Sequence, residues 1–202
     1  MEFAQVLRRR RMIRSYDDAR PVPPETIDGI LAAALRAPSA GFTQGISFLV
    51  LNSAAERDAF WRATGVAVSG GMGGAWLRGM RTAPILILVW ASEEAYLDRY
   101  AEPDKGWTDR DPARWSVPYW FVDAGMASMA ALLAAVDQEL GACFFGVPTD
   151  RIAAVRGAFG VPASQLSVGV ISVGYPVPAP AIGSPTHRPR KAVPELVHRG
   201  IW

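Results

Sequence analysis

Cysteine is almost missing from this sequence: Cys143 is the single one in 202 residues. No intrachain disulfide can form, and a zinc site built on cysteine is excluded. Histidine is nearly as scarce. His187 and His198 sit among prolines and charges, outside any HExxH or facial-triad spacing, so no metal site is expected. Neither Ser-His-Asp nor Cys-His machinery can be assembled from such a set. A dominant charge is also lacking, since 21 Lys+Arg against 19 Asp+Glu leave a net +2 that does not demand nucleic acid as a partner. Long apolar runs are absent as well. The N-terminus passes from Leu7 straight into four arginines, which is not a secretory signal. The longest uncharged helical candidate, Ala124 to Val136, falls short of the roughly 20 residues a bilayer span needs. A soluble, cytoplasmic protein without a membrane partner is the expectation. Gly-x-Gly-x-x-Gly is missing too, and the stretch from Gly70 to Gly74 follows no clear strand, which argues against a Rossmann dinucleotide site.

What is present is a globular composition, half hydrophobic and one fifth charged, of a length that suits one domain over residues 1–202. Apolar spacing predicts helices over Glu2 to Arg9, from Pro24 to the stop at Pro38, and over Ala54 to Thr64. Ser69 to Gly74 reads as a loop, with a short helix around Trp76 to Met80. Phe48 to Leu51, Ala142 to Phe145 and Leu166 to Val173 have strand character. Pro84 to Trp90 is a continuous β-branched and leucine run, as in a strand buried on both faces. Asp150 to Phe159 is a further helix. Residues 93–117 form a polar, proline-bearing stretch with Trp107 and Trp115, the mark of a lid or excursion. The proline-rich tail over 178–202 reads as an extended arm. This order of elements fits an α+β domain with a helix-covered, mixed or antiparallel sheet.

Pro118 to Glu139 predicts the longest helix. Met126, Met129, Leu133, Val136 and Leu140 step by three and four like a buried seam, and Gly125, Ala127, Ser128, Ala130, Ala131, Ala134 and Ala135 occupy the other faces. A helix apolar or small all round must be covered, either as a central core helix or as the core of a dimer interface.

Three arginine-bearing segments could carry chemistry. In Arg8-Arg9-Arg10-Arg11-Met12-Ile13-Arg14-Ser15-Tyr16 the apolar pair interrupts the charge, so something draws the segment into the fold. Its guanidiniums suit a phosphate, through paired charge-assisted hydrogen bonds, or alternatively a nucleic-acid backbone. In an extended chain Arg188 and Arg190 share a face and could join Arg10 on one phosphate. Arg78, with Arg81 behind it, is the third candidate. With little nucleophilic or metal chemistry on the protein, a bound organic cofactor is the economical explanation.

Together these segments resemble the FMN-dependent nitroreductase family. Arg10 to Tyr16 is similar to its Arg-Arg-Ser-x-Arg-x-Phe signature, and Ala37 to Gln44 to its Ala-Pro-Ser-x-x-Asn-x-Gln segment. Asp123-Ala124-Gly125 with the alanine-rich helix, and Leu140 to Gly146, resemble its central dimer helix and the loop after it. Gly174-Tyr175-Pro176 and Arg188 to Lys191 match its closing motifs. The resemblance implies an intertwined homodimer with FMN at the subunit interface. It places Arg10, Arg11, Arg188 and Arg190 at the flavin phosphate, and Arg14 and Arg78 at the pyrimidine edge, where a cation stabilises the negative charge of the reduced ring. Pro38, Ser39 and Ala40 would contact the ring from the other subunit, and backbone N–H groups near Gly146 and Val147 would face N5 and O4. Met12, Phe42, Phe144 and Phe145 fall on the same cofactor-binding segments. No side chain acts as a catalyst in this scheme.

Three positions depart from the pattern: Met12 replaces the serine, Phe42 the asparagine, and Gly45-Ile46 a Pro-Trp pair. Phe42, Trp107, Trp115, Tyr119 and Trp120 are the candidate substrate-binding aromatics, alongside the reading that most of them are ordinary core. The function implied is ping-pong hydride transfer from NAD(P)H to a nitroaromatic, quinone or similar acceptor. Two rivals stand beside it: a same-fold flavoenzyme with specialised chemistry (dehalogenation, dehydrogenation of a peptide-derived substrate, flavin cleavage), and a basic nucleic-acid-binding module.

Overall fold

Residues 85–91 are buried without interruption, and their side chains point alternately to two different cores. Ile85, Ile87, Val89 and Ala91 enter one, while Leu86, Leu88 and Trp90 enter the other. A strand with two apolar faces requires helices on both sides, and the chain supplies them. The computed structural model describes residues 1–65, 71–178 and 188–202. In chain order it contains α1 (Phe3–Arg9), α2 (Pro24–Ala34), β1 (Ile46–Leu51), α3 (Ala54–Ala63), α4 (Gly71–Arg81) and β2 (Ile85–Ser92). These are followed by α5 (Glu93–Ala101), α6 (Tyr119–Asp137), β3 (Gly141–Phe145), α7 (Ile152–Ala158) and β4 (Gln165–Gly174).

The sheet has the order β1-β2-β4-β3 and every neighbouring pair is antiparallel. Its only parallel contact among the described residues is an isolated bridge from Met12, outside the strands, to Ala142 of β3. Helices α2 and α6 cover the first core, whereas Phe60 and Trp61 of α3, Leu77 and Met80 of α4 and Val155 of α7 fill the second. A bulge at Val168 shifts the register of β4 against β2 by one residue between Val89 and Trp90. Gly169, opposite Val89, has no side chain because the Phe144 ring occupies that space.

Three elements differ from the sequence reading. Helix α6 turns its small face inward: Ala124, Ala127, Ala131 and Ala135 are buried, with Asp123 and Ser128 on the same side. Small side chains permit close approach to α2 and the sheet, which larger ones would prevent. Of the expected seam, Met126 and Met129 face outward beside the exposed Phe121 and Val122, Leu133 is half-buried, and Val136 and Leu140 are buried as expected. At nineteen residues α6 is long and apolar enough to cross a membrane, yet half of it is buried within the fold.

The stretch after β2 is irregular only beyond Ala101. Helix α5 begins on a Ser92 cap that accepts the Ala95 N–H, and Tyr96 is its one buried residue, so it offers no apolar periodicity to read. Helix α4 starts at Gly71, inside the segment from Ser69 to Gly74 read as a loop; residues 69 and 70 of that segment lie outside the described residues. Leu77 and Met80, both buried, anchor α4 despite the roughly 1 kcal/mol that each helical glycine costs relative to alanine.

Candidate functional site

The N-terminal arginine segment is fixed along β3. Ile13 donates its N–H to the Ala142 carbonyl at 3.0 Å, and its side chain packs over Gly141, where a Cβ would meet it at 2.8 Å. Tyr16 anchors the far end. Its hydroxyl lies 2.6 Å from the Ile13 carbonyl and 2.7 Å from Ser172 Oγ, and its N–H donates to Thr82 Oγ1 at 2.9 Å. Burial pushes this phenol far above its ordinary range, only partly offset by the Ser172 hydrogen bond. Between these anchors the Arg14 carbonyl presses directly on Gly79 of α4, where no Cβ could be placed without displacing it. This contact brings Arg14 and Arg78, distant in sequence, onto touching elements. The Arg14 guanidinium donates to the Met12 carbonyl at 3.2 Å and acts electrostatically on Cys143, whose thiol burial pushes up.

A second group of contacts holds residues 38–44. Asp123 Oδ2, buried on α6, accepts both the Ala40 N–H at 2.8 Å and the Tyr96 hydroxyl at 2.7 Å. Arg99 donates from Nε to the Gly41 carbonyl at 2.9 Å, and the Tyr100 ring lies under Gly41, 2.7 Å from where a Cβ would stand. Ser39 Oγ accepts the Gln44 N–H at 3.0 Å and closes the loop on itself. Gly41, Phe42 and Gln44 all adopt positive φ. The Tyr96 phenol is raised far above its usual range, first by burial and then by its hydrogen bond to Asp123.

The aromatic residues separate into groups. Trp107, Trp115, Tyr119 and Trp120 pack with Tyr96 and Tyr100, ring centroids 4.3 to 6.5 Å apart. They brace the 38–44 loop, and Trp120 belongs to the first core. Phe145 stacks on Trp61 across the sheet, at 5.8 Å and 6° between planes, while Phe144 fills the space over Gly169. Phe42 stands apart, 76% exposed.

The sequence profile of the nitroreductase family matches residues 7–175. The chain belongs to the nitroreductase family. A protein of Methanothermobacter thermautotrophicus, provisionally named NADH dehydrogenase/NAD(P)H nitroreductase, is 31% identical over 183 residues, covering 89% of this chain and 80% of that protein. A provisionally named nitroreductase of Desulfovibrio desulfuricans, solved in complex with FMN, shares 26% identity and a TM-score of 0.70, covering 100% of this chain and 98% of the other. A second FMN complex, from Exiguobacterium sibiricum, superposes with a TM-score of 0.76 at 21% identity over 98% and 97% of the two chains, a likeness of fold.

The residues that the resemblance points to fall in four places. Arg10 to Arg14 belong to the segment that Met12 and Ile13 tie to Ala142 of β3, and Arg78 precedes the Gly79 that meets the Arg14 carbonyl. Gly146 and Val147 lie beyond the last paired residue of that strand, Phe145, and a Cβ on Gly146 would touch nothing within 4 Å. Pro38, Ser39, Ala40 and Phe42 occupy the pinned loop. None of Arg10, Arg11, Arg78, Arg188 or Arg190 has a carboxylate partner among the described residues, although Arg11 folds back on the carbonyls of Arg8 and Arg10. Arg188 and Arg190 lie on an arm exposed from 188 to 202; residues 179–187, with His187, are outside the described residues. Arg10, Arg11 and Arg78 without carboxylate partners, and an open backbone turn after β3, suit an anionic, ring-bearing ligand such as FMN.

Sequence reasoning missed Gly79, Tyr96, Arg99 and the role of Asp123. Asp123 did leave a signal, as the one acidic residue in the otherwise uncharged span from Tyr119 to Val136. A cleft of about 760 Å³ also opens between α2, β1 and the 18–24 segment, lined by Asp18, Val22, Asp28 and Arg57 among others. It contains none of these site residues.

Proposed function

We propose that this nitroreductase-family chain is an FMN-dependent oxidoreductase that passes hydride from NAD(P)H to a small planar acceptor, and that it works as a homodimer. The observation that carries the reading is the contact of the Arg14 carbonyl with Gly79, which sets Arg14 and Arg78 on adjoining elements, the first of them tied to the start of β3 through Ile13 and Ala142. When bound, FMN supplies a two-electron carrier that one substrate reduces and the next oxidises. Arg10, Arg11, Arg188 and Arg190 hold its phosphate through charge-assisted hydrogen bonds. Arg14 and Arg78 would supply positive charge to its pyrimidine ring, and backbone N–H groups at Gly146 and Val147 would orient it. The 38–44 loop of the other subunit would cover the ring and exclude water. Overall, a nitroaromatic takes up one hydride and one proton and leaves as a nitroso compound plus water, while NAD(P)H leaves as NAD(P)⁺.

Exposed apolar surface supports the homodimer. Phe3 and Leu7 of α1 and Phe121, Val122, Met126 and Met129 of α6 face outward, and Ile201 and Trp202 end the arm at 87% and 97% exposure. Surface of this kind requires a cover, and a second copy offers a matching stripe. An absorption spectrum of the purified protein, followed by flavin-fluorescence titration and turnover of a nitroaromatic with NADH and NADPH, tests the reading. A colourless protein that refuses FMN overturns it.

A further inference from the structure

We propose that Phe42 selects the acceptor: its ring is the surface on which a flat aromatic oxidant stacks, offered by a loop that α5 and α6 hold still. The proposal rests on the reading that the 38–44 loop borders an FMN site. It is drawn from a contrast within the loop. The backbone is secured at every turn, by Asp123 on the Ala40 N–H, by Arg99 on the Gly41 carbonyl, by Ser39 on the Gln44 N–H and by the Tyr100 ring beneath Gly41. The Thr43 hydroxyl donates to the Ala40 carbonyl at 2.6 Å, and the Phe42 N–H to the Ser39 carbonyl at 2.9 Å.

The Phe42 ring, by contrast, is the most exposed large apolar side chain among the described residues before the C-terminal arm. It projects from a backbone with φ +55, a conformation a bulky residue adopts only where its surroundings impose it. Tyr100, Trp107, Trp115 and Tyr119 form a partly exposed aromatic cluster whose Tyr100 lies under the neighbouring Gly41. A ring carried on a fixed backbone loses side-chain freedom alone when a ligand covers it, and aromatic pairs add attraction beyond the area they bury. The chemistry favoured is an extended, apolar π-system, and a compact hydrophilic oxidant gains nothing from the ring.

The test uses FMN-loaded wild type, Phe42→Asn and Phe42→Trp. Asparagine tolerates the left-handed backbone and removes the ring, and tryptophan enlarges it. Steady-state kinetics compare 1,4-naphthoquinone with ferricyanide at fixed NAD(P)H. The expected result for Phe42→Asn is a loss of about tenfold in kcat/KM for naphthoquinone, carried by KM, with ferricyanide changed by less than about twofold. Phe42→Trp keeps or improves the naphthoquinone KM. A parallel change for both acceptors, no change for either, or loss of FMN from both variants overturns the assignment to acceptor choice. Conversion of a dimer to a monomer by Phe42→Asn, with all acceptors affected alike, gives the ring to a subunit contact and overturns it too. Wild type that binds no FMN fails the underlying reading instead.

Discussion

The backbone carbonyl of Arg14 lies against the α-carbon of Gly79, so the spacing between the N-terminal segment and α4 is that of two main chains in contact. Gly79→Ala forces this pair apart. The expected outcome is an FMN affinity lowered by roughly tenfold, together with a stability loss of about 1–3 kcal/mol from overpacking. Flavin-fluorescence titration and thermal melting of the apoprotein measure the two effects separately. A variant that binds FMN like wild type removes the contact from the cofactor site.

Asp123 holds two donors at once, from Ala40 and Tyr96. Asp123→Ala leaves both donors buried without their acceptor, and the cost expected is about 2–4 kcal/mol. Tyr96→Phe removes one hydrogen bond and costs about 1 kcal/mol. If the pair acts as a unit, the double variant is less destabilised than the sum of the singles, which urea unfolding of all three detects. Additive losses would mean that the carboxylate and the phenol work separately.

The outward stripe on α6 predicts how the protein assembles. Met129→Arg puts a charge in the middle of surface expected to be covered, and a covered, unpaired charge is costly. Sedimentation should show the mass falling to that of one chain, with FMN lost in step. A variant that stays dimeric and yellow would move the subunit contact elsewhere.

Alkaline pH should unfold the protein early. Burial raises the phenols of both Tyr16 and Tyr96 above their ordinary value of 10.0, so in the unfolded chain they release protons that the fold retains. The unfolded state then binds fewer protons, and stability that is fully present below pH 10 is lost as pH rises above it. Melting temperature against pH should bend downward near pH 10, and Tyr16→Phe or Tyr96→Phe should reduce the bend. An unchanged slope in both variants would refute the assignment.

Acid should loosen the 102–116 excursion. Arg99 holds the Asp104 carboxyl below its usual 3.8, and Arg114 does the same for Asp109. A lowered carboxyl contributes stability above its unfolded value that is lost as pH falls below it. Fluorescence of Trp107 and Trp115 should therefore change from about pH 4 downward, before the far-UV signal of the sheet. Simultaneous transitions would place the excursion in the same cooperative unit as the sheet.

Much of this architecture was legible because it follows from periodicity. The run from Pro84 to Trp90 has the composition of a doubly buried strand, and the helices of Ile27, Ile30 and Ala34 or of Phe60 and Trp61 repeat where a core needs them. Helix α5 was not legible, since one buried tyrosine makes no pattern. Direction on α6 was not legible either, because both of its faces are apolar and only packing distance decides that alanine goes inward and methionine out. Arg14 and Arg78 were visible as candidates from residue type and motif. Their meeting was invisible, because it depends on what Gly79 lacks.

The strand order carries a consequence for synthesis. Among the described residues β3 has no strand neighbour except β4, and β2 has β4 as its inner neighbour, so the central ladder closes only when Gln165–Gly174 arrives. A nascent chain leaving the ribosome therefore carries β2 as a sticky ribbon, satisfied on one edge alone, until β4 has emerged. Pairing over so long a stretch of chain is slow and vulnerable to aggregation. A premature stop before Gln165 would leave a product without a centre, and a chaperone that shields β2 would govern how much of this protein reaches its native form.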